Sequence, residues 1–253
     1  MKIFKSKRTV SVWGSSQPKQ LLEIANHLNA SGFEGPTQAS TLYSLYFVRK
    51  IDSDLKLTCS IDRVYEEPHG VFNFQTYLVL SSFALYADAD DARLWGPSIG
   101  EVNEKSVGVF SVGLQHLKWN AEGGDDNPVW QVSALPQYEN SANDWIADWE
   151  RYGAPIVSAI TDISSAIVFC QQALKYQKNP WVKSDGFGSY AFDIFTAMLM
   201  VRNHQVEEAK AFLINALNIN DREAKRAQLR EAKKMQLQLA LDWVETKMPP
   251  SLH

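Results

Sequence analysis

The 253-residue sequence predicts an α+β fold: an N-terminal helix, an antiparallel β-sheet of about five strands, and a C-terminal helical region. Two observations carry this. Apolar residues recur at helical spacing before residue 31 and after residue 142, whereas the stretches between are rich in Val, Ile, Thr, Tyr and Phe and largely alternate as strands do. The links between those stretches are short and turn-like, I-D-S-D at 51–54 and E-E-P-H-G at 66–70, which suits hairpins rather than crossover helices.

The first helix covers 17–30. Leu21, Ile24, Ala25 and Leu28 share one face, Pro18 stands near the start, and Gly32 follows the end. Strands are expected over Thr41–Ile51, Leu55–Tyr65, Val71–Tyr86, Ser106–Trp119 and Val129–Ser133. In the second, Leu55, Leu57, Cys59 and Ile61 fall on one face and Lys56, Thr58, Ser60 and Asp62 on the other. Ser141 or Asn143 caps a helix carrying Trp145, Ile146, Trp149 and Tyr152, which Gly153 and Pro155 then end. Asp162 caps the next, from Ile163 to about Tyr176, and 179–189 reads as a loop. Tyr190–Val201 is apolar nearly all round, as a surrounded helix is; Val206, Ala209, Leu213, Ala216 and Leu217 give its successor a single stripe. Over 221–247 the residues Met235, Leu237, Leu239 and Leu241 alternate like a strand, but Ala, Gln, Lys, Leu and Glu dominate, so a long helix halted by Pro249-Pro250 is expected. The chain thus divides into a sheet domain, 1–178, and a helical extension, 179–253, packed on it as one unit.

The formal charge of −4 is unevenly spread: residues 1–8 carry +4, residues 221–234 carry +3, and the remainder −11. A body that negative disfavours nucleic acid, whose phosphates need clustered basic residues, and suits a basic protein partner. No window approaches the roughly 18 apolar residues of a membrane span, so a cytoplasmic protein is expected. Cys59 and Cys170 lack a C-x-x-C neighbour and read as small buried residues.

Several chemistries have no motif here. The five histidines are scattered, and H-E-x-x-H, G-x-S-x-G, the phosphate-binding G-x-x-x-x-G-K-[ST] loop and G-x-G-x-x-G do not occur, so neither metal nor cofactor is expected. Asp88, Asp90 and Asp91 begin like a calcium loop, but Ala92, Arg93 and the missing closing glutamate break the pattern. Asp193 is the candidate catalytic residue. In the apolar run Y-A-F-D-I-F-T-A-M-L-M-V, with Thr196 one turn on and Asp185, Glu207 and Glu208 nearby, a buried carboxyl could serve as a general acid or base. The plainer reading is the outer edge of a packed helix. Arg222, Arg226, Arg230 and Lys233 form a basic stripe at helical spacing, which reads as a solvated face. Trp145 and Trp149 stand one turn apart; they read first as a helix laid on the sheet, second as a binding surface flanked by Asp144 and Asp148.

The Gly32-Phe33 end of the first helix, the strand-rich middle and W-E-R-Y-G-A-P-I at Trp149–Ile156 together resemble small bacterial α+β domains of no assigned activity, similar to immunity proteins of toxin systems. The resemblance spans roughly residues 17–176 and assigns no site residues. It implies a non-enzymatic binding protein that occludes a basic toxin, and Asp88, Asp90, Asp91, Asp144, Trp145, Asp148 and Trp149 are the candidate contacts. The alternatives are a hydrolase-like enzyme using Asp193 and the G-F-G stretch at 186–188, and a helical adaptor or homo-oligomer held through residues 219–253.

Overall fold

The computed structural model describes residues 19–37, 44–67, 71–82, 84–85, 87–88, 110–123, 130–133, 135–175, 189–223 and 227–248. The order is helix, five-stranded antiparallel sheet, then helices, an α+β chain as expected. No helix among the described residues is long and apolar enough to cross a membrane.

Helix α1 (Lys19–Ala30) buries Leu21, Ile24, Ala25 and Leu28. It closes in a Schellman motif: Gly32, at φ +87°, lets Phe33 N–H return to the Leu28 carbonyl at 3.1 Å and Gly32 N–H to Asn29 at 3.2 Å. Phe33 is thereby delivered into the core.

Strands β1 (Ser44–Lys50), β2 (Leu55–Glu67), β3 (Val71–Ser82) and β4 (Phe110–Gly113) lie in that order, and β5 (Trp130–Val132) also pairs with β3, setting Phe72 opposite Val132 and Phe74 opposite Trp130. The buried face of β2 is Leu55, Leu57, Cys59 and Ile61, as the alternation predicts. On its outer side β1 meets a short extended segment. Glu34 and Val48 exchange backbone hydrogen bonds, and Thr37 N–H donates to Tyr46. Gly35 stands where a Cβ would lie 2.7 Å from the Phe47 ring and 2.9 Å from the Tyr46 carbonyl.

The structure corrects the sequence expectation in three places. The strand expected over Ser106–Trp119 ends at Gly113, and α2 (Leu114–Glu122) follows, with Leu114 and Leu117 turned inward one helical turn apart. The strand expected to reach Tyr86 stops at Ser82, whose hydroxyl accepts from Leu85 N–H and starts a helical turn. Gly153 and Pro155 do not end the tryptophan helix. After α3 (Ser141–Asp148) the chain widens into a π turn (Trp149–Gly153), Ala154 N–H reaching back to Trp149, and continues as α4 (Ala154–Ala159). Pro155 is the second residue of α4, directly after the π turn.

Asp162 caps α5 (Ile163–Lys175): its carboxylate accepts Ser165 N–H at 2.7 Å, and Ser165 Oγ accepts Asp162 N–H at 2.9 Å. In α6 (Ser189–Arg202), Asp193 through Met200 are all buried, which fits the all-round apolar pattern. A second Schellman closure follows, Gln205 N–H to Met200 at 2.8 Å, with His204 at φ +61° in the position glycine usually takes. Helices α7 (Val206–Glu223) and α8 (Ala227–Glu245) pack on each other and on α6. Leu237, Ala240, Leu241 and Val244 of α8 are buried while Met235 is exposed, a helical rather than alternating pattern.

By contacts the chain forms two compact units. The first comprises residues 1–50, 57–79 and 112–157; the second, 51–56, 80–111 and 158–253. Helix α5, expected with the sheet domain, belongs to the second. Both cysteines are buried and unbridged, and burial pushes the Cys170 thiol up to about 12.

Candidate functional site

The first unit holds an aromatic and polar core built on α3 and the π turn. One helical turn puts Trp145 and Trp149 on the same face, and their rings stack with centroids 5.3 Å apart at 17°. Both are fully buried. Phe33 meets Trp149 edge-on at 5.9 Å, so the two halves of the G-F … W-E-R-Y-G pattern, far apart in sequence, touch in the core. Gly153 completes the fit, because a Cβ there would lie 2.7 Å from Trp149 Cε3.

The polar atoms around the pair are mostly satisfied. Trp145 Nε1 donates to Thr76 Oγ1 at 2.9 Å, and Thr76 N–H donates to Gln115 Oε1 at 3.2 Å. Asp148, 8% exposed, accepts from Lys118 Nζ and Trp130 Nε1, both at 2.8 Å on Oδ2. These two hydrogen bonds close α3 against β5 and α2. Trp149 Nε1 is buried and has no acceptor among the described residues.

Above this core the exposed side is acidic. Glu139 and Asn140, just before α3, are exposed, as are Asn143, Asp144 and Ala147, which the helical period sets away from Trp145, and Glu150 and Arg151 in the π turn. Glu150 Oε1 accepts from His27 Nε2 at 2.8 Å, and His27 also stands edge-on to Trp145 at 6.5 Å. Arg151 and Tyr152 both donate to Glu122, at 3.2 and 2.8 Å.

Of the residues expected to form a contact surface, Trp145, Trp149 and Asp148 are therefore interior, and Asp144 and Asp88 are exposed. Asp90, Asp91 and the G-F-G stretch lie outside the described residues. The sequence also left unmarked Thr76, which holds Trp145, with its own partner Gln115, and Lys118 and Trp130, which hold Asp148. Nothing local signals them, since they come from β3, α2 and β5.

Asp193 is buried, and its partner is Lys233, whose Nζ lies 3.2 Å from Oδ2. Burial raises the Asp193 carboxyl above its ordinary value even against the pull of Lys233. Glu207 and Glu208 are exposed on the first turn of α7. Lys233 is correspondingly not part of a solvated stripe, its side chain being 14% exposed. An aspartate with an ammonium partner in a packed helical interior is explained without substrate. Among the described residues no group of three His, Cys, Asp or Glu side chains is placed to hold a metal ion. Comparison with protein families, with curated proteins and with solved structures returns no match.

Proposed function

We propose that this chain is a non-enzymatic, cytoplasmic binding protein of the immunity type, which takes a basic protein partner on the acidic face of α3 and the π turn. The observation that carries the reading is the pairing of a rigid pedestal with an exposed acidic rim. Trp145, Trp149 and Asp148 are locked beneath, and Glu139, Asp144 and Glu150 lie exposed above them. A rim of net negative charge on a rigid support, Glu139, Asp144 and Glu150 against Arg151, steers an oppositely charged partner and loses little backbone freedom on binding. The tryptophans thus act as the support of the contact surface rather than as contacts.

The test is co-expression of the tagged protein with the product of the neighbouring reading frame, followed by titration calorimetry at several salt concentrations. A stoichiometric complex that weakens with salt, and at least tenfold when Glu139, Asp144 and Glu150 are changed together to lysine, supports the proposal. A complex indifferent to that triple variant rejects this face. Absence of a protein partner in pull-downs from the native cells rejects the binding-protein reading itself.

A further inference from the structure

In the second unit one guanidinium joins three segments that are distant in sequence. Arg202, the last residue of α6, donates from Nη1 to Asp54 Oδ2 at 2.6 Å and to Ser82 Oγ at 3.2 Å, and from Nη2 to Asp52 at 3.2 and 3.4 Å. The acceptors are themselves organised by backbone amides. Asp52 Oδ1 accepts the N–H groups of Asp54 and Leu55, both at 2.7 Å, which shapes the β1–β2 turn. Asp54 Oδ1 accepts Ala84 N–H at 3.1 Å, its Oδ2 accepts the Ser82 hydroxyl, and Ser82 Oγ in turn accepts Leu85 N–H at 3.2 Å. The turn after β1, the end of β3 and the C-terminus of α6 therefore share one network.

The chemistry of this network favours a single cation of planar shape. Two carboxylates 150 and 148 residues away in sequence meet the two arms of the fork, a geometry that a lysine ammonium does not reproduce. The arginine also stands at a helix C-terminus, where positive charge is stabilised. Burial pushes the Asp54 carboxyl up, but the Ser82 hydroxyl, the Ala84 amide and the Arg202 guanidinium outweigh it and hold the group below its ordinary value. The three side chains are a quarter exposed for Arg202, a third for Asp52 and 18% for Asp54, so water reaches the network when it loosens.

We infer that Arg202 is a conformational clasp: it holds the β1–β2 turn and the end of β3 as part of the helical unit, and these two strand ends open together when the guanidinium lets go. Residues 51–56 and 80–85 cluster with the helices although the rest of their strands lies in the first unit, and the clasp joins both segments to the end of α6. Opening of this kind is a local event, lower in free energy than unfolding of the core, and is read by amide exchange.

Hydrogen–deuterium exchange on the full chain tests it. In Arg202→Met the amides of Asp54, Leu55, Ala84 and Leu85 should exchange at least tenfold faster than in the wild type, with β2 beyond residue 57 and α8 unchanged. Arg202→Lys should fall between, because one ammonium cannot span Asp52 and Asp54. Unchanged exchange in both segments, or equal acceleration through the whole chain, would overturn the inference. If Arg202→Met fails to fold, Asp54→Asn, which keeps the shape of the side chain, is read in the same way: coupled acceleration at 54–55 and 84–85 supports the clasp, and acceleration in one segment alone overturns it.

Discussion

Replacing Gly153 with alanine should destabilise the first unit by about 2 kcal/mol, against the usual expectation for a glycine in helical conformation. The added Cβ would lie 2.7, 3.0 and 3.1 Å from Cε3, Cδ2 and Cζ3 of Trp149, where carbon atoms normally rest at about 3.5–4.0 Å. The ring has nowhere to retreat, with Trp145 stacked at 5.3 Å and Phe33 edge-on at 5.9 Å. Overpacking of a fixed site costs about 3 kcal/mol at the upper end of its range, and the alanine returns about 1 kcal/mol of helix preference. The difference should lower the melting temperature by about 4–8 °C in a chain of this length, followed by near-UV circular dichroism. In a Trp149→Leu background the same alanine should be neutral or stabilising, because the obstructing ring is gone. A higher melting temperature for Gly153→Ala alone would refute the argument and mean that the π turn can yield.

Two further changes probe the buried polar groups. Thr76→Val keeps the side-chain shape but strands the buried Trp145 N–H, and should cost about 1–3 kcal/mol in urea titrations, with Thr76→Ser recovering most of it. Lys233→Met should cost about 3–5 kcal/mol near neutral pH by leaving the Asp193 carboxylate buried alone, whereas Lys233→Met with Asp193→Leu should lie close to the wild type. The single variant also carries a pH signature. The folded-state pKa of Asp193 is raised above its ordinary 3.8, so the stability contributed by its proton is full below 3.8 and is lost as pH rises through the folded value. Removing Lys233 raises that value further, and the urea midpoint of the variant should approach that of the wild type as the solution is acidified; a gap constant with pH would show that Asp193 does not titrate with folding.

Where a segment's own periodicity decided its structure, the sequence was a sufficient guide. The faces of α1 and β2, the all-round burial of α6 and the Asp162 cap are all local patterns. Helix α2 escaped because its apolar residues are too few to show a period: Leu114 continues the alternation of Phe110 and Val112, and Leu117, off that alternation, is a weak helical signal by itself. The π turn escaped because Gly and Pro signal a helix end in general, whereas this glycine answers to a ring four residues earlier. The candidate surface was half legible. Spacing put Trp145 and Trp149 on one face, but which side of the helix is inward depends on Thr76 and Phe33, which come from elsewhere in the chain. Residues 52, 54, 82 and 202 carry no shared local signal at all, and only the tertiary structure brings them together.

The short segment beside β1 has a consequence for behaviour at high concentration. An outermost strand presents unpaired amides and carbonyls to any passing chain, and proteins commonly blunt it with lysine or proline. Here the job is done from within, since Glu34 and Thr37 occupy the Val48 and Tyr46 positions. The seal depends on backbone approach so close that Gly35 has no room for a side chain. A bulky residue at position 35 would lift the segment away, leave the Leu45 and Phe47 strand open to addition by a neighbour, and turn a monomer-compatible sheet into a seed for polymer growth.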